Sequence, residues 1–206
     1  MNYIQLRKFL ADFTVFSIRD VRRIDPKFHR RRLNEWQDKG YIKKIIKGFY
    51  IFSDLELNEN TLFEIANRIY NPSYISFEMA LAYYHLIPES TYGITSASTR
   101  RTYKFKSLIA EFHYRTIKTE LFFGYVINGY NGKCFKIATP EKAILDYFYL
   151  NPHIYRESDF ASLRMNSEVF FQKVKTGKLN SYLKKFSKNK LSVRVNNFLD
   201  FMNAQR

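Results

Sequence analysis

The residues of this chain best placed to do chemistry lie between Asp25 and Tyr50, and they suit recognition of a polyanion. Lys27, Arg30, Arg31 and Asn34 fall in one polar stretch, and Lys43, Lys44 and Lys47 follow closely. Arginine can give two hydrogen bonds to the edge of guanine, and asparagine can pair twice with adenine. Lysine supplies a point charge for phosphate, which positions a protein on a duplex without reading it. Arg30, Arg31 and Asn34 are therefore the expected base contacts, with Lys27 and the three later lysines nearer the backbone. Arg32 sits beside the apolar side of the same stretch and is expected to reach backbone or an acidic neighbour.

Bond-making chemistry is harder to find. The sequence has no phosphate-cradling G-x-x-x-x-G-K-[ST] loop, no G-x-S-x-G elbow and no H-E-x-x-H pair. His29, His85, His113 and His153 lack ligand spacing, and the single cysteine, Cys134, excludes both an internal disulfide and a cysteine-built zinc site. A metal-dependent nuclease needs carboxylates converging on one cation beside a lysine. Glu111, Glu120, Lys118 and Lys142 could be assembled that way, but no spacing forces it. The glycine-serine turn and paired aspartates of a nucleotidyltransferase are missing. The expectation is a protein without catalytic residues, bound cofactor or metal.

The elements that must position the basic residues can be read locally. Asp25-Pro26 offers a cap and a proline at a first helical position, and Gly40 offers a stop, which predicts a helix from Pro26 to about Lys39. At 100° per residue, Pro26, His29, Leu33 and Trp36 share one side, with Lys27, Arg31, Asn34, Glu35 and Asp38 opposite. Trp36 and His29 are expected to pack in a core. Residues 41–52 form two β-prone runs about a Lys47-Gly48 turn. Strand alternation puts Lys43 and Lys47 on one face and Lys44 on the other. Ser17 caps an earlier helix through Ile24. Helix, helix and basic hairpin in this order predict a winged helix-turn-helix over residues 1–54, with double-stranded DNA as partner.

Beyond it, Asp54–Asn60 reads as a linker and residues 59–206 as an α+β domain. A helix is expected near Thr61–Ile69 and another from a Ser76 cap to about His85. From Tyr92 to Ala138 short β runs dominate, at Ile94–Ser98, Thr102–Lys106, Glu111–Ile117, Leu121–Ile127 and Cys134–Ile137, giving a mainly antiparallel sheet. Pro140 opens a helix to Leu150, and helices fill the C-terminal part. Pro140, Glu141 and Lys142 read as helix-start chemistry, with Asp146 able to pair with Lys142 one turn earlier.

Charge supports two functional parts. The whole chain carries +15, so a polyanionic partner that releases counterions is expected. Residues 1–53 hold thirteen Lys/Arg against five Asp/Glu, residues 54–150 ten against ten, and residues 151–206 eleven against four. The C-terminal lysines, Lys173, Lys175, Lys178, Lys184, Lys185, Lys188 and Lys190 with Arg194, read equally well as a solvated face or a second phosphate contact. No signal-like or bilayer-spanning segment is evident, so a cytoplasmic protein without a membrane partner is expected.

Three segments carry a family resemblance. The first is Arg32-Leu33, Trp36 and Lys39-Gly40-Tyr41-Ile42-Lys43, with Lys47-Gly48-Phe49-Tyr50 after it. The second runs from Tyr74-Ile75-Ser76-Phe77-Glu78 to Pro88, and the third is Ile137-Ala138-Thr139-Pro140-Glu141-Lys142-Ala143-Ile144-Leu145-Asp146. Together they resemble the AbiEi antitoxins of type IV toxin–antitoxin systems over roughly residues 15–150. The resemblance implies a repressor of its own operon that binds promoter inverted repeats. It also implies a nucleotidyltransferase toxin that is opposed without a stable complex. Two other readings stay open: a winged-helix regulator with a ligand-sensing domain and no toxin, and a DNA-targeted nuclease.

Overall fold

A computed structural model describes residues 1–88, 93–187 and 189–205. The expectations placed on Tyr92 and Lys188 lie outside the described residues. The N-terminal unit comprises α1 (Tyr3–Phe9), β1 (Phe16–Ser17), α2 (Ile18–Ile24), α3 (Arg31–Asp38), β2 (Ile42–Ile46) and β3 (Phe49–Phe52). Its three strands form an antiparallel sheet in the order β1-β3-β2. Ser17 caps α2 as expected, in a reciprocal arrangement with Asp20. Leu6, Leu10, Phe16, Val21, Phe28, Leu33, Trp36, Ile42, Tyr50 and Phe52 bury together between the helices and the sheet.

The larger part begins with α4 (Glu59–Ile69), β4 (Ser73–Ile75) and α5 (Phe77–Tyr83). Strands β5 (Ile94–Ser98), β6 (Tyr103–Lys106), β7 (Glu111–Thr116), β8 (Tyr125–Tyr130) and β9 (Lys133–Ala138) follow, with a 3-10 turn at Thr119–Leu121. Helices α6 (Pro140–Leu150), α7 (Glu157–Ser162), α8 (Ser167–Lys173), α9 (Thr176–Lys184) and α10 (Asn189–Ala204) complete an α+β architecture. The six-stranded sheet runs β6-β7-β5-β4-β9-β8. It is mixed: β5–β7 and β4–β9 are parallel, and the other three pairings are antiparallel.

The sheet is thus mainly antiparallel, as expected, with two parallel pairings that the sequence pattern did not indicate. One follows from β6 lying at the edge outside β7, which leaves β7 beside β5, and the other from β4, three buried residues that the sequence pattern offers only as a lead into a helix. Ser73, Tyr74 and Ile75 pair antiparallel with β5, and Ile75 pairs parallel with Ile137. So short an apolar run, buried on both faces, has no periodicity to betray it. The expected strand over Leu121–Ile127 also shifts. Leu121 ends the 3-10 turn, and β8 starts at Tyr125 after Gly124 turns the chain at φ +73°.

The apolar clusters do not divide at the 54–59 connection. Val15, Ile45 and Ile51 of the N-terminal unit bury with the core of the larger part. Thr14 donates to Glu64 at 2.6 Å, and Arg68 meets Asp20 at 3.5 Å.

Candidate nucleic-acid interface

The segment Asp25–Gly40 divides into a turn and a helix. Asp25 ends α2, its N–H bonded to the Val21 carbonyl, while its carboxylate holds the terminal ammonium of Met1 at 3.1 Å. The Phe28 N–H then returns to the Asp25 carbonyl at 2.9 Å, so Asp25-Pro26-Lys27-Phe28 closes a turn. Proline's fixed φ suits a turn's second position as well as a helix start, and sequence alone does not separate the two. The helix predicted from Pro26 instead begins at Arg31, with Arg30 in the cap position. Its far end is as expected: Gly40 takes φ +70°, and the Tyr41 N–H bonds back to the Trp36 carbonyl.

This shift redistributes the predicted contacts. Lys27 lies in the turn and not on the helix, and it is exposed. Arg30 sits exposed at the helix entrance. Arg31 and Asn34 share the outward face of α3, where the Arg31 side chain is 89% exposed. Glu35, one turn beyond, meets Arg31 at 3.5 Å and can be displaced at little cost, because both groups are solvated. His29 is exposed, against the expectation of core packing, because the turn hands its inward position to Phe28. Phe28 packs on Trp36 with ring centroids 5.5 Å apart. Leu33 and Trp36 anchor the inner face as expected, each burial contributing about 1.5–3 kcal/mol. Arg32 turns away from Arg31 and donates to the Met1 carbonyl, the backbone contact expected of it.

The hairpin also departs from simple alternation. The register passes from Lys44 opposite Tyr50 to Ile46 opposite Phe49, so one extra residue, Ile45, bulges from β2. The bulge lets Ile42 face the N-terminal core while Ile45 enters the larger one. The register is regular up to Lys44, so Lys43 and Lys44 project to opposite faces as expected, and both are exposed. Lys43 reaches the Ser53 carbonyl at 3.4 Å. Lys47 lies at the exposed turn beyond the end of β2, and Gly48 beside it takes φ +91°. Arg19, Arg22 and Arg23 on α2 are exposed as well. Sequence reasoning passed over them, although three arginines around Val21, the single buried residue of α2, carried the signal.

The other candidates are dispersed. Glu111 on β7 binds Lys104 at 2.7 Å and His113 at 3.0 Å, and the two hold its carboxyl below the usual carboxylate range. Glu120 pairs with Lys118 at 3.2 Å in the 3-10 turn. Lys142 is elsewhere, fully buried on α6. Among the described residues, no group of three or more histidine, cysteine or acidic side chains is arranged to hold a metal ion. No helix among them is long and apolar enough to cross a membrane.

Lys142 belongs to a polar cluster whose burial the sequence did not reveal. It ion-pairs with Asp146 and donates to the Tyr74 hydroxyl at 2.9 Å. Tyr74 and Ser76 each donate to Asp146 Oδ2 at 2.8 Å. Ser76, expected to cap α5 with its side chain, is thus turned to Asp146 instead, and the Met79 N–H in the first turn of α5 bonds to Thr95 Oγ1 at 3.1 Å. Burial pulls the Lys142 pKa down and pushes that of Asp146 up, and each group opposes the shift of the other. The cluster ties the Tyr74–Ser76 segment to the Thr139–Asp146 segment, joining β4 and α6 across the core. Nearby, Glu141 pairs with Lys178 at 2.9 Å and accepts from the Lys175 N–H, linking α6 to α9.

Part of the C-terminal charge is also spent inside the fold. Arg194 donates to the carbonyls of Phe148, Asn151 and Ile154, and Lys185 lies 4.5 Å from the Phe123 ring centroid. Lys184, Lys185 and Lys190 are exposed. No family model and no curated protein matches this chain.

Proposed function

We propose that the N-terminal unit is a winged helix-turn-helix that reads double-stranded DNA, and that the protein is a repressor doubling as the antitoxin of a type IV system. The observation that carries the DNA reading is the outward face of α3, where Arg31 and Asn34 stand together with Arg30 at the helix entrance. Helices of this kind contact bases with their N-terminal residues. Glu35 and Asp38 lie farther along, toward the end that would leave the groove. Lys43, Lys44 and Lys47 form a second basic feature on the hairpin, suited to phosphate. Leu33 and Trp36 fix the helix from behind, so its outer side chains are presented by a packed scaffold.

The antitoxin part rests on the resemblance of the three segments named above. Two of them, about 50 residues apart, are joined by the Lys142–Asp146–Tyr74–Ser76 cluster, which gives their residues a shared structural task. The partners on this reading are promoter inverted repeats and a nucleotidyltransferase toxin that need not form a stable complex, in the cytoplasm. Coexpression of the full chain with a nucleotidyltransferase encoded beside it tests the assignment. Rescue of growth by wild type supports it, and undiminished toxicity at matched expression contradicts it.

A further inference from the structure

The two edges of the six-stranded sheet are built differently. β6 at one edge is Tyr103-Lys104-Phe105-Lys106, with Arg101 just before it. Lysines on an exposed strand discourage pairing with another chain. β8 at the other edge is Tyr125-Val126-Ile127-Asn128-Gly129-Tyr130, with no charge, no proline and no break in its register with β9. The Thr139 N–H bonds to the Gly124 carbonyl at 2.9 Å. Hydrogen-bonded positions alternate in an antiparallel pair, so Val126, Asn128 and Tyr130 turn their backbone groups to β9. Tyr125, Ile127 and Gly129 turn theirs outward, and no backbone group of the described residues bonds to them there. Both faces of the strand are open at its middle. Asn128 and Tyr130 bond to Tyr83 of α5 and Glu64 of α4, which marks the face that Val126 shares. Tyr125 stacks on Tyr74 with centroids 5.1 Å apart, which marks the face of Ile127. Val126 is 40% exposed and Ile127 64%, so packing on neither face blocks an added strand.

We propose that β8 pairs antiparallel with β8 of a second copy of this chain, about a two-fold axis at Ile127, making one continuous sheet. Only that centre uses all three outward residues: Ile127 meets the partner's Ile127, and Tyr125 meets the partner's Gly129. Each such pair exchanges two hydrogen bonds, about six in all. Tyrosine opposite glycine covers backbone that glycine leaves bare, and the two isoleucines meet as an apolar pair. The order of residues thus fits the strand to its own copy. The charge of +15 on the chain does not oppose the contact locally, because the strand itself is neutral. Lys136, beside Ile127 on β9, lies 5.8 Å from the Tyr125 ring centroid. Three strand spacings, about 14 Å, would separate it from the partner's Lys136, beyond a screening length of about 8 Å. Tyr130 and Thr14 both donate to Glu64, so the pairing also sets two N-terminal units about one axis.

Sedimentation velocity of the full chain across the micromolar range tests the pairing. The wild type should pass from one chain to two as its concentration rises. Ile127→Lys, which sets two ammonium groups face to face on the axis, should weaken the dimer by about tenfold or more. Leu108→Lys makes the same charge change at the exposed β6–β7 turn and should leave the dimer unaltered. The single cysteine, Cys134, lies exposed on β9 opposite Gly129 and takes a nitroxide label without any substitution. Strand spacing and rise put the two Cys134 Cα atoms about 20 Å apart in the proposed register. Dipolar electron spin resonance should show a narrow distribution within label reach of that value. A monomer at every concentration, an equal loss in both lysine variants, or an Ile127→Lys dimer as strong as wild type would overturn the pairing. So would a label distance more than twice that value, which would place another surface in the contact. No DNA enters either measurement, so failure here is distinct from failure of the reading of α3.

Discussion

On the DNA-binding reading proposed above, Arg31 is the residue on which base recognition most depends. It stands outermost on α3, paired only with a solvated glutamate. Replacing it with alanine is expected to weaken binding to the specific site by about 1–3 kcal/mol and to relax preference at one base position. Titrations with specific and random duplexes check this, and an equal loss on both would place Arg31 on phosphate instead. Lys47 gives the complementary case. Lys47→Ala should lower affinity alike on both duplexes and reduce the slope of log K against log salt by about one. An unchanged slope would remove the hairpin tip from the interface. In the core, Asp146→Ala leaves Lys142 without its counter-charge and Tyr74 and Ser76 without an acceptor. Loss of one partner from a buried pair typically costs about 3–5 kcal/mol. Chemical denaturation should show part of that loss recovered in Lys142→Met/Asp146→Leu, which removes both charges but still leaves Tyr74 and Ser76 without their acceptor.

At the scale of elements, the link between α6 and α9 carries a pH dependence. Burial pushes the Glu141 pKa up, but Lys178 and the Lys175 N–H outweigh it and hold the carboxyl below its ordinary value. A carboxylate depressed by folding contributes stability that is complete above its unfolded pKa. That contribution falls away as the pH drops through the folded value. The chain should therefore lose stability in acid below the ordinary glutamate range, and Glu141→Gln should flatten the dependence in that window. Denaturation midpoints between neutral pH and pH values near 3 would show it; parallel curves for variant and wild type would contradict it.

Legibility in the sequence varied with how local each cause was. Leu33, Trp36 and Gly40 announced the inner face and end of α3 through spacing and backbone chemistry. Its start was misread because Asp25-Pro26 satisfies the rules for a turn and for a helix alike, and only Phe28 packing against Trp36 decides. Lys43 and Lys47 were assigned to one face by a strict two-residue period, which the bulge at Ile45 breaks for the sake of two separate cores. Lys142 and Asp146 were visible as a helical pair, yet their burial depends on Tyr74, about seventy residues away. No local pattern carries that information.

For the whole molecule, the two parts act as one folded body. Val15, Ile45 and Ile51 lie in the larger core, and Thr14 and Asp20 meet Glu64 and Arg68. A fragment starting near Glu59 would expose that apolar seam, so separation of function is better sought with Arg31→Ala in the full chain. That variant should lose promoter recognition while keeping the wild-type denaturation midpoint, since Arg31 makes no buried contact. The charge layout favours the same division of labour, with an electrically balanced middle between two basic ends.

The central claim is sequence-specific DNA reading by α3. Its most direct test is fluorescence anisotropy of the full chain on a duplex from upstream of its own coding region, against a scrambled duplex at matched salt. The account predicts a preference on the order of 10³ or more for the native sequence. Equal affinity for the two duplexes, with equal salt slopes, would contradict it.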